Sequence, residues 1–155
     1  MRTLKQLASL DGRVALITGG AGHIGVTAAR TLAELGADIA VLDINQSSVE
    51  EASEAISREE GVQVLPLAIN LSDQSSLSSV SSQIEREFGR LDVIVNSAAL
   101  VGSSKRKGWV TDFATQGNEA WGEALDINLT SVFFLIQTLH ELLVNQSFFD
   151  PAHYA

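Results

Sequence analysis

The chain has 155 residues, enough for one domain with a real core and too few for two. Its composition, 45% hydrophobic and 19% charged, is that of an ordinary soluble globular protein, and a formal net charge of −9 argues against nucleic acid or an anionic membrane surface as partner. With no cysteine, disulfides, thiolate catalysis and zinc–sulfur sites are excluded, and His23, His140 and His153 are too scattered to suggest a metal cluster.

The N-terminal stretch "MRTLKQLASL" lacks a long apolar run and a small-residue cleavage site, and no segment approaches membrane-spanning length, so a cytoplasmic protein is expected. After a lead-in over residues 1–12, "VALIT" (14–18) is a near-continuous apolar run, as are "DIAVLD" (38–43), "VQVLPLAI" (62–69) and "DVIVNS" (92–97). Such runs suit strands buried on both faces of a parallel sheet. Between the first two, Ile24, Ala28, Leu32 and Leu35 make one helical stripe, ended by Gly36. A weaker helix runs around Val49, Ala52 and Ile56. Leu77, Val80, Ile84 and Phe88 make another stripe, ended by Gly89; the serine-rich "SDQSSLSSVSSQ" (72–83) around it reads as the solvated face of that helix. "KRK" (105–107) follows the fourth strand in a glycine- and serine-bounded stretch, either a solvated loop or a contact for an anionic ligand. The alternation βαβαβαβ implies right-handed crossovers and an α/β, doubly wound, layered domain.

"TGGAGHIG" (18–25) lies between the first strand and the first helix. A lone Gly20-x-Gly22-x-x-Gly25 says little. Directly after a buried strand and opening an amphipathic helix, it is placed to let the backbone approach a pyrophosphate at the helix N-terminus. The same fingerprint asks for an acidic residue about 20 positions on, at the end of the second strand, and Asp43 is there.

Farther on, Trp121, Leu125, Leu129, Val132, Ile136, Leu139 and Leu143 are spaced three and four apart as one helical stripe. Asn128 falls on or beside that stripe. A buried amide must have its hydrogen bonds met, so Asn128 either ties down a neighbouring loop or backbone or serves a site, and both can hold at once. The final "VNQSFFDPAHYA" (144–155) does not read as a buried strand, and residues 145–155 form an irregular tail.

These motifs in this order resemble the short-chain dehydrogenase/reductase family. "TGGAGHIG" is similar to its Thr-Gly-x-x-x-Gly-x-Gly signature, with His23 where glycine is usual, and also to a Gly-x-x-Gly-x-x-Gly variant in the extended, sugar-nucleotide branch. "INLSD" (69–73) stands where the family has an Asp–apolar pair beside the adenine, with Asn70 in place of the aspartate and Leu71 as the apolar member. "VNSAA" (95–99) resembles the Asn-Asn-Ala-Gly segment, with Ser97 and Ala99 substituted, and "LDINLTSVFFLIQ" (125–137) the helix bearing the family's asparagine, here Asn128. The resemblance implies a three-layer α/β/α fold of the Rossmann type with strand order 3-2-1-4, and a cofactor site at Gly19, Ala21, Gly22, His23, Ile24, Asp43, Ile44, Asn70, Leu71, Asn96 and Ala98. It gives Asn128 a catalytic part, helping hold an ordered water in a proton relay. Asp43 would accept hydrogen bonds from an adenosine ribose and repel a 2′-phosphate, and positions where NADP-using relatives often carry a base hold Gly22 and Ile44, so NAD is expected over NADP. The Asn70 oxygen can still bond the adenine amino group.

The family's reaction moves a hydride between nicotinamide and an alcohol/carbonyl pair, with a tyrosine as acid/base and a lysine four residues on lowering its pKa. The single tyrosine here, Tyr154, has one residue after it, and Ser147 comes too early to be the family's serine. The expectation is a cofactor-binding N-terminal part of an NAD-dependent oxidoreductase, itself inactive, acting on a small-molecule substrate and forming a homo-oligomer through its apolar last helix and open sheet edge. Sugar-nucleotide epimerase/dehydratase chemistry and a catalytically silent nucleotide-binding or assembly protein remain the alternatives.

Overall fold

The structure, a computed structural model, describes residues 7–101 and 111–144. Strands β1 (Val14–Thr18), β2 (Asp38–Asp43), β3 (Val64–Ala68) and β4 (Val93–Asn96) form one parallel sheet in the order β3-β2-β1-β4, the order the resemblance implies. Val14 of β1 pairs with Asp38 and Thr18 with Leu42, while Thr18 also faces Asn96 of β4. β3 and β4 are each shorter than the apolar runs around them.

Helices α1 (His23–Glu34) and α2 (Gln46–Glu60) cover one face of the sheet. Helix α3 (Gln74–Phe88) covers the other, together with a last helical run: α4 (Asn118–Leu125), a π-helical turn (Asp126–Thr130), α5 (Ser131–Thr138) and α6 (His140–Val144). Consecutive residues of β1 feed opposite cores, Ala15 and Ile17 toward α1 and α2, Val14 and Leu16 toward α3 and α5. That two-sided burial is why the strands read as unbroken apolar runs.

Local chemistry sets the helix ends. The Asn45 side chain accepts the Ser48 N–H to start α2, and Asp73 accepts the Ser75 N–H to start α3. The hydroxyl and N–H of Ser75 hold the Asp73 carboxyl below the usual carboxylate range. Gly61 and Gly89 end the same two helices in the left-handed conformation.

Two apolar stripes differ from expectation. In α1 the residues facing the sheet are Gly25, Ala29 and Ala33, one position on from Ile24, Ala28 and Leu32, and Ile24 is exposed. The small residues win because they let the helix lie close: a Cβ on Gly25 would come within 2.1 Å of the Gly19 carbonyl oxygen. In the last helical run the buried residues are Ala120, Ala124, Ser131, Leu135, Leu139 and Leu142. Of the expected stripe only Leu139 is buried, whereas Trp121, Leu125, Leu129 and Ile136 are exposed. The buried set runs one position before Trp121, Leu125, Val132, Ile136 and Leu143, on both sides of the π-helical turn, so the period is the expected one and the buried face is rotated by one residue. The serine-rich helix matches its expectation: Leu77, Val80 and Ile84 are buried and Phe88 packs against that core.

At the amino-terminal end of the sheet, Asp92 is enclosed. Its side chain, 1% exposed, accepts hydrogen bonds from Arg90 Nη2 at 2.6 Å and Nε at 2.8 Å, Arg13 Nη1 at 2.9 Å and the Val14 N–H at 2.9 Å. Burial pushes the Asp92 carboxyl up, but these donors outweigh it and hold it below the usual carboxylate range. The same pairing raises the Arg90 guanidinium. Among the described residues no helix is long and apolar enough to cross a membrane.

Candidate functional site

The carboxyl ends of the strands open onto a cleft of about 350 Å³, at the switch point where β1 is flanked by β2 on one side and β4 on the other. One wall is the turn between β1 and α1. Gly19 sits at φ +63°, and a Cβ there would lie 2.7 Å from the Ala98 N, so only glycine lets this turn rest on the segment after β4. Thr18, buried at the end of β1, ties the same two segments: its Oγ1 accepts the Ala98 N–H at 3.2 Å, and its carbonyl accepts the Ser97 N–H and hydroxyl. The turn is tied to β2 as well, since the Gly20 N–H donates to the Leu42 carbonyl at 3.0 Å.

Helix α1 begins beside this wall with Gly22 as its cap and no side chain on its first amides. The opening N–H groups of a helix have no carbonyl partner within it, so this end suits an anion. Across the cleft Asp43 closes β2. Its Oδ2 accepts the Ala21 N–H at 3.2 Å and its Oδ1 the Ile44 N–H at 2.7 Å. The carboxylate is thus aimed by backbone donors on both sides, with lone pairs to spare at the cleft rim. Asn70 and Leu71, after β3, form the next part of the lining.

The fourth side comes from the last helical run. Asn128, in the π-helical turn, is an exposed residue whose amide nonetheless grips one peptide unit: Oδ1 accepts the Leu100 N–H at 2.7 Å, and Nδ2 donates to the Leu100 carbonyl at 3.2 Å. Its neighbour Ile127 and the loop residues Ala98 to Leu100 line the cleft.

Of the residues expected at a cofactor site, Gly19, Gly22, Asp43, Ile44, Asn70, Leu71 and Ala98 line this one cleft. Ala21 reaches it through its hydrogen bond to Asp43. His23 and Ile24 stand exposed on the first turn of α1, and Asn96 is exposed at the end of β4; none of the three is part of the lining. Leu42, Ile69, Ser72, Leu100 and Ile127 also line it, unforeseen. Ser72 and Ile69 flank the Asn70-Leu71 pair in sequence, so the pair itself marked them; Ile127 arrives through the tertiary fold. "KRK" (105–107), Ser147 and Tyr154 lie outside the described residues.

With this geometry in place, comparison with known proteins defines the class. Residues 13–148 match the short chain dehydrogenase family, and the chain belongs to that family. A 5-keto-D-gluconate 5-reductase of Escherichia coli K12 is 31% identical over 143 residues, 92% of this chain and 53% of that protein. Among solved structures, an NAD+-bound xylitol dehydrogenase superposes with a TM-score of 0.76 at 27% identity, over 85% of this chain and 48% of the other. A short chain dehydrogenase from Shigella flexneri complexed with NADP gives 0.79 at 27% identity, over 89% and 56%. The chain spans about half the length of the curated relatives it matches. These relatives are oxidoreductases, and the sugar-nucleotide alternative gains nothing from them.

Proposed function

We propose that this chain binds NAD as part of an oxidoreductase, in the cytoplasm, that acts on the alcohol/carbonyl pair of a small molecule. When bound, the nicotinamide supplies or accepts the hydride. The observation that carries the reading is Asp43, whose carboxylate is fixed at the cleft rim by the Ala21 and Ile44 N–H groups. From there it can accept the ribose hydroxyls of an adenosine, and it would repel a phosphate in their place. The fit of a dinucleotide rests also on the turn: Gly19 leaves the backbone bare against Ala98, and Gly22 presents the open amides of α1 to a diphosphate.

Asn128 acts here as a positioning residue. Its amide bonds Leu100 once through each polar atom, which holds the loop after β4 against the cleft, and it keeps a second Nδ2 hydrogen and a second Oδ1 lone pair for an ordered water in a proton relay. The exposed face of the last helical run, with Leu125, Leu129, Phe133 and Ile136, suits a second copy of this chain. Light scattering across a concentration series should report a mass above the monomer; a monomer at high concentration refutes that part.

The cofactor reading is tested by titrating NAD and NADP into the chain. Repulsion between Asp43 and a 2′-phosphate is worth about 1–3 kcal/mol, so NAD should bind about 5- to 150-fold more tightly. Tighter NADP binding overturns it.

A further inference from the structure

Asn70 departs from the aspartate of the family pattern, and its side chain is held in one orientation. Its Oδ1 accepts the Ser72 backbone N–H at 3.0 Å, a contact that only the oxygen of the amide can make. The backbone is pinned as well, because the Asn70 carbonyl accepts the Asp73 N–H at 3.0 Å and the Ser76 hydroxyl at 3.2 Å. The amide nitrogen is therefore turned away from Ser72. Among the described residues nothing hydrogen-bonds it, and the residue is an exposed part of the cleft lining.

A carboxylate in this place offers acceptors alone. It favours a purine with an amino group on carbon 6 and repels one with an oxygen there. The amide offers both signs: Oδ1 keeps a second lone pair, and Nδ2 carries two hydrogens. We propose that Asn70 makes the purine end of this cleft indifferent to the group on carbon 6, so that a dinucleotide with a 6-oxo purine is accepted alongside one with adenine. The inference rests on reading the cleft as a dinucleotide site and goes beyond it in naming what sets the base preference.

The experiment is calorimetric titration of the chain with NAD and with nicotinamide hypoxanthine dinucleotide, repeated on Asn70→Asp. An aspartate can keep the Ser72 N–H contact, so the turn should survive, and a circular dichroism spectrum matching the wild type checks this. The two dissociation constants for the wild type should agree within about tenfold. In Asn70→Asp the preference for NAD should widen by at least about tenfold, as expected when a site built of acceptors meets an unmatched oxygen, while NAD affinity itself moves by less than tenfold. Wild-type discrimination above tenfold, or an unaltered ratio in Asn70→Asp, overturns the inference and leaves the dinucleotide reading intact. Failure of the wild type to bind either dinucleotide, or NADP, overturns both.

Discussion

Asp92 and Asp43 stand at opposite ends of the same sheet, and the fold treats them in opposite ways. Asp92, just before β4, is 1% exposed and receives four hydrogen bonds, three of them from two arginines. Asp43, closing β2, receives two hydrogen bonds, both from backbone N–H groups, and borders the cleft. A carboxylate has room for about four such partners. At the amino-terminal end that capacity is filled from within the chain; at the carboxyl end half of it is left over, and its direction is set in advance. The difference separates a charge whose partners all lie within the chain from one that keeps acceptor capacity at the cleft rim.

The contrast can be broken most forcefully at Asp92. Asp92→Asn removes the charge while two guanidinium groups remain around it, and should cost about 2–3 kcal/mol of stability, read as a lower denaturant midpoint. Dinucleotide affinity of the folded fraction should stay within twofold. The wild-type carboxyl lies below its usual range, so the folded chain binds fewer protons there than the unfolded chain does. That stabilisation is present above about pH 4, where a free aspartate is ionised, and is lost as pH falls through the depressed value. The stability of Asp92→Asn should therefore fall less steeply than that of the wild type as pH is lowered below about 4; an equally steep fall would show that other carboxylates dominate the acid response. The smaller effect is at the cleft. Asp43→Asn should weaken NAD by about tenfold, or 1.4 kcal/mol, narrow its advantage over NADP, and alter stability by less than about 1 kcal/mol. A large loss of stability there would mean that Asp43 is a second structural clamp.

The strands, their order and the glycine turn were legible because each rests on a local rule. Two-sided burial leaves an unbroken apolar run, and "TGGAGHIG" carries its chemistry in consecutive residues. The helix faces were less so. The buried faces of α1 and α4 are made of Gly25, Ala29, Ala33, Ala120 and Ala124, side chains too small to register as an apolar stripe. The larger Leu125, Leu129 and Ile136 did register, and they are exposed. For Asn128 the spacing left loop-tying and a site role both open, and the paired bonds to Leu100 show the first. No sequence rule could supply that partner 28 positions away. The orientation of Asn70 depends on the course of the chain through Ser72, which a substitution read against a motif does not reveal.

Pro66, in the middle of β3, gives the sheet a direction of growth. Gln63 and Ile69 both turn their peptide groups toward β2, through the bonds from Ile39 N–H and to the Asp43 carbonyl. By the alternation of a parallel strand, Val64, Pro66 and Ala68 turn theirs outward. Proline there deletes a donor from the outer rim, where a further strand would need one. On the opposite rim, β4 presents Val93, Ile94 and Val95 only half-buried and with no such interruption. Any strand that joins this sheet, from the same chain or another, is steered to the side of β4, and the β3 side is left as a terminus.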